Sequence, residues 1–65
     1  MALRIEIEQE VDGRWIADVV DLPGVMAYGA DRASAISNAK NLAMQVIADR
    51  KQYGEWAPEP VFIEE

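Results

Sequence analysis

Between Val20 and Ala35 the chain reverses direction and then changes its period, and no other stretch restricts the fold as much. Leu22-Pro23-Gly24-Val25 has the residue order of a type II turn, because Pro23 presets a negative φ at the second position and Gly24 accepts a positive φ at the third. A strand entering at Val20 and Asp21 must therefore fold back on itself. Gly29 interrupts the short apolar run that follows. Asp31 is then placed to accept backbone N–H groups from the first turn of a helix. The order over these residues is strand, turn, strand, helix.

The flanking segments supply the rest of the sheet. From Leu3 to Gln9 apolar and polar residues alternate, with Leu3, Ile5 and Ile7 on one side and Arg4, Glu6 and Glu8 on the other, as in a half-buried strand. Val11-Asp12-Gly13 provides a turn into a second strand from Trp15 to Val20. A two-residue Asp12-Gly13 loop would set Asp18 on the core side opposite Ile7, burying an unpaired carboxylate at a cost of several kcal/mol. A three-residue loop with a left-handed Gly13 instead joins Trp15, Ala17 and Val19 to the inner face. The longer loop is the expected one, and it leaves Arg4, Glu6, Glu8, Ile16, Asp18 and Val20 facing outward.

A short third strand is expected at Val25 to Tyr28, antiparallel to the second. From Arg32 the apolar residues recur at three and four: Ala35, Ile36, Ala39, Leu42, Ala43, Val46 and Ile47 make one stripe of an amphipathic helix. Arg50 and Lys51 complement the carboxyl end of the helix dipole, and Gly54 is the expected stop. After Pro58 and Pro60, Val61-Phe62-Ile63 can add a last strand. The fold class is therefore α+β, in the order β-β-β-α-β. With a right-handed return of the last strand beside the first, the mixed four-stranded sheet has the order 3-2-1-4 and one helix on one face.

Composition narrows the function. A single domain of 65 residues buries only ~60% of its unfolded surface, so support from a partner or a second copy is expected. With no Cys and no His, neither disulfides nor a thiolate or imidazole metal site can supply it. Twelve acidic residues against six basic ones give a net charge of −6. That balance disfavours direct binding to nucleic acid and favours a basic protein partner. The amino end lacks a signal-peptide pattern and no apolar run approaches ~18 residues, so the expected setting is cytoplasmic, away from any membrane.

Asp12-Gly13, Trp15, Ala17, Asp21-Leu22-Pro23-Gly24, Tyr28-Gly29, Ala35 and Asn38-Ala39 together resemble the HicB-like antitoxins of toxin–antitoxin pairs, over nearly the whole chain. Members usually carry Pro, Thr or Ser, and Glu where this chain has Val20, Asp31 and Ser34. The resemblance implies one HicB-like domain over residues 1–65 with a partial RNase H-like fold, acting as an inhibitor. Its partner would be a small basic HicA-like toxin that cleaves mRNA, neutralised when its active face is covered. Many members continue into a DNA-binding domain, and operator binding is not expected of these residues.

Catalysis is not expected. Glu6, Glu8 and Asp18 share the outer face, but Asp49, the remaining candidate for an RNase H-type metal pair, lies on the helix across the sheet. No Ser-His-Asp, Cys-His or phosphate-loop pattern is present, and no cofactor is implied. The expected partner-binding residues are Glu6, Glu8, Ile16, Asp18 and Val20. Asp21, Leu22, Pro23, Gly24, Gly29 and Asp31 form the structural motif. Val61, Phe62 and Ile63 are the expected oligomer contact, since an apolar edge strand invites pairing into a homodimer or higher oligomer. The second functional expectation is a homo-oligomeric scaffold or ligand-binding protein of the same fold without a toxin.

Overall fold

A computed structural model describes residues 2–64. Strand β1 (Leu3–Gln9) pairs antiparallel with β2 (Trp15–Val19), which pairs antiparallel with β3 (Met26–Gly29). Helix α1 (Arg32–Gln52) follows, and β4 (Phe62–Glu64) returns parallel to β1. The sheet order is β3-β2-β1-β4, as the turn chemistry and the crossover require.

The first hairpin has the three-residue loop. Glu10 N–H donates to the Arg14 carbonyl at 2.6 Å, Gly13 N–H donates to the Glu10 carbonyl at 3.0 Å, and Gly13 has φ +94°. Ile7 consequently stands opposite Ala17 and Ile5 opposite Val19, which sends Asp18 to the outer face. At the second turn Val25 N–H donates to the Leu22 carbonyl at 3.1 Å across a Gly24 with φ +83°, the geometry of a type II turn.

Helix α1 begins where Asp31 caps it: the Asp31 carboxylate accepts the Ser34 N–H at 2.7 Å. It ends in a Schellman motif, with Gly54 N–H donating to the Lys51 carbonyl, Glu55 N–H to the Arg50 carbonyl, and Gly54 at φ +72°. Its stripe of Ala35, Ile36, Ala39, Ala43 and Ile47 is buried on Leu3, Ile5, Ala17, Val19, Leu22 and Val25, with Leu42 and Val46 half-buried at the margin. Small side chains let the helix lie close to β3 and β2. The approach is tightest at Gly29, where any Cβ would run into the backbone nitrogen of Ala35 and lie 2.7 Å from the Ser34 carbonyl carbon.

Strands β2, β3 and β4 are bounded differently from the sequence expectations, β3 also running one residue further, to Gly29. Strand β2 stops at Val19 and β3 starts at Met26, because Val19 and Val25 both serve the turn through the backbone bonds Leu22 N–H to Val19 O and Val25 N–H to Leu22 O. Strand β4 is Phe62–Glu64 rather than Val61 to Ile63. The Val61 N–H turns back to the Glu59 carbonyl at 2.8 Å, while the Val61 carbonyl still accepts the Leu3 N–H at 2.7 Å.

Candidate partner-binding face

The helix covers one side of the sheet, and among the described residues nothing covers the other. The register decides what that open side carries. On β1 and β2, Glu6 is opposite Asp18 and Glu8 opposite Ile16. On β3, Met26 is opposite Asp18 and Tyr28 opposite Ile16, and on β4 Ile63 is opposite Arg4. Side chains alternate across a strand, so these residues share one face with Val20.

Four of the five expected binding residues surround a single shallow depression of ≈ 390 Å³, lined by Glu6, Ile7, Glu8, Ile16 and Asp18. Val20 lies on the same face beyond it, at the end where Val20 N–H donates to the Arg4 carbonyl. Ile16 and Asp18 are half-buried, whereas Glu6 and Glu8 stand in solvent. Their electrostatics run against the stability of the isolated domain. Carboxylates directly opposite each other on adjacent strands, as Glu6 and Asp18 are, make a destabilising pairing.

No cation offsets them through an ion pair among the described residues. Arg4 is joined to Asp21, whose carboxylate accepts the Arg4 N–H at 2.9 Å and its guanidinium at 3.4 Å. Arg14 is joined to Asp12 at 2.8 Å and lies over the Tyr28 ring, 4.7 Å from its centre. Both arginines near this face are thus committed to other carboxylates. The backbone N–H of Arg4 and then its side chain hold the Asp21 carboxyl below its ordinary value, and the Arg14 N–H does the same for Asp12.

Met26 and Tyr28, 46% and 45% exposed, belong to this face although the sequence reading left them out. Their placement follows from the β2–β3 register and from nothing in their own polarity. They extend an apolar margin from Ile16, so the face has an acidic centre with an apolar flank. Ile63 and Val61 add exposed apolar surface on the far side, while Phe62 turns inward against the core with the Lys40 ammonium 5.8 Å from its ring centre. Of the three expected oligomer residues, two therefore point outward and one is a core contact.

On the helix side, Glu64 bridges Lys40 at 3.3 Å and Arg32 at 3.9 Å, closing a groove of ≈ 410 Å³ between α1 and β4 with side chains of the chain's own. Among the described residues no three acidic side chains gather as a cation site, and Asp49 is exposed on α1, across the sheet from Glu6 and Asp18. What the open face offers chemically is three carboxylates, Glu6, Glu8 and Asp18, without ion pairs among the described residues, around an apolar floor suited to lysine or arginine side chains whose stems lie on Ile16. No family model matches the chain, and neither a curated protein nor a solved structure matches it.

Proposed function

We propose that this chain is an antitoxin-type binding module that neutralises a small basic ribonuclease of the HicA-like kind by covering its active face in the cytoplasm. The observation that carries this reading is the open sheet face, where Glu6, Glu8 and Asp18 stand around Ile16 without ion-pair partners among the described residues. A fold of this size gains from separating like charges across adjacent strands, so retaining them in one cluster fits a surface completed by a basic partner. The net charge of −6 adds long-range attraction for the same class of partner. The resemblance of Asp21-Leu22-Pro23-Gly24, Tyr28-Gly29 and Asn38-Ala39 to HicB-like antitoxins, with their partial RNase H-like fold, points the same way.

In this reading the module acts by occlusion. Lysine and arginine side chains that would grip the phosphates of an mRNA are instead held by carboxylates, and the apolar flank of Met26 and Tyr28 excludes water around them. The direct test is co-expression with a HicA-like toxin encoded beside this chain. The expected result is restored growth of toxin-expressing cells and recovery of a stoichiometric complex by affinity capture. A toxin that neither binds the folded chain nor loses toxicity in its presence would contradict the reading.

A further inference from the structure

The acidic face cannot serve as a contact between two copies, because a twofold axis through it would set Glu6, Glu8 and Asp18 against themselves. The β4 edge is poorly suited as well. It is three residues long, follows Pro60 and ends on the charged Glu64. A different flank of the molecule carries little charge: from Leu22 to Ala30 the sequence has no Asp, Glu, Lys or Arg, the Arg14 guanidinium that lies over the Tyr28 ring is paired with Asp12, and from Ala33 to Ala48 the helix has only Lys40, which turns to Glu64 on the β4 side.

From these observations we infer that two copies of the chain join through the free edge of β3, forming one eight-stranded sheet with both helices side by side on its inner face. The backbone of β3 is already arranged for it. The Val19 N–H donates to the Val25 carbonyl, so Val25, Ala27 and Gly29 turn their backbone groups toward β2. Met26 and Tyr28 turn theirs to the open edge. An antiparallel pairing centred on Ala27 sets Met26 of one copy opposite Tyr28 of the other and completes four interchain hydrogen bonds. The Tyr28 carbonyl, which accepts the Asn38 side-chain amide at 2.9 Å, keeps a second lone pair for the incoming Met26 N–H.

The side chains fit the same axis. On the open face each Met26 lies beside the Tyr28 ring of the second copy, a favourable sulfur–aromatic contact. On the inner face only Ala27 meets Ala27, leaving room for the helices. Helix α1 packs chiefly on β3 and β2 and less on β1, so it lies toward the β3 edge of the sheet. The twofold therefore brings the two helices toward each other over the β3–β3 seam, where strands are ~4.8 Å apart and helices pack at ~8–10 Å. The facing residues are Asn38, one turn on Leu42, and Gln45, all uncharged, with Leu42 half-buried in the single chain. A stable contact needs ~800 Å² per partner, more than a four-residue strand edge supplies by itself, so this helix seam is a required part of the interface.

The chain has no Cys, so single-thiol variants report the axis directly. Residues facing each other as Ala27 would are ~4.5 Å apart at Cα, within the range that a disulfide spans. Light scattering at tens of micromolar is expected to give twice the 7.2 kDa of one chain. Under a mild thiol oxidant Ala27→Cys is expected to cross-link into dimers and Ile63→Cys is not. Met26→Pro removes an edge N–H that no intrachain ladder uses, and is expected to weaken the dimer about tenfold or more while leaving the circular dichroism of the monomer intact. A monomeric mass, an Ala27→Cys chain that does not cross-link, or a folded Met26→Pro chain that dimerises as before would each overturn the inference.

Discussion

Three aspartates fasten this chain to its own backbone, and they do so most strongly when ionised. Asp31 accepts the Ser34 N–H at the start of α1, Asp21 accepts the Arg4 N–H that β2 leaves unpaired, and Asp12 accepts the Arg14 N–H in the first hairpin. Each carboxyl is held below its ordinary value of 3.8, with the backbone hydrogen bond as the leading cause. A carboxylate whose native pKa lies below its unfolded value stabilises fully above the unfolded value and loses that contribution as pH falls through the native one. Stability to urea is therefore expected to be level at neutral pH and to decline below about 3.8, and Asp21→Asn combined with Asp31→Asn should make the decline shallower. A double variant with an unchanged acid limb in urea titrations would contradict this assignment.

Among the elements, contact between β3 and α1 sets the geometry of the domain. Gly29 permits it, since a Cβ there would meet the backbone of Ser34 and Ala35 rather than a yielding side chain. Gly29→Ala should destabilise the domain by at least ~2 kcal/mol, measured by urea unfolding, because neither strand nor helix can move without opening the core. A loss below ~0.5 kcal/mol would show that the entry to the helix is not fixed there.

The same elements separate what was legible in the sequence from what was not. The first hairpin could be read because the shorter loop would have buried Asp18, and a penalty of that size leaves one register. The turn at Pro23-Gly24 and the cap at Asp31 could be read because their residues have few other uses. Strand β3 offered no such lever: Met26, Ala27, Tyr28 and Gly29 do not alternate in polarity, so their facing came only from pairing with β2. At the candidate face the acidic centre was therefore legible and its Met26–Tyr28 flank was not. The last strand is displaced by one residue because the backbone at Val61 turns back to Glu59, a local bond with no signature in the residue types.

At the scale of the whole molecule, the chain is long and thinly cored. Its radius of gyration is 12.0 Å and its extents are 40 × 18 × 16 Å, against ~10.7 Å for a compact chain of this length. Much of the buried set is alanine, and one sheet face is left to solvent. In the proposed reading a domain so built presents two surfaces, an acidic one for a basic protein and a sparsely charged flank for a second copy. The two proposed uses share the Met26–Tyr28 flank but not the acidic centre, since an axis at β3 leaves Glu6, Glu8 and Asp18 open on both copies.

Charge reversal at the acidic centre tests the central claim most directly. Glu6 and Glu8 are exposed and free of ion pairs among the described residues, so Glu6→Lys with Glu8→Lys should leave folding intact. Association with the proposed basic toxin is then measured by stopped-flow or surface binding across a salt series. The expected result is an association rate lowered about tenfold or more at low salt, with a flattened dependence on ionic strength. A folded double variant that binds as fast as the native chain, with the same salt dependence, would contradict it.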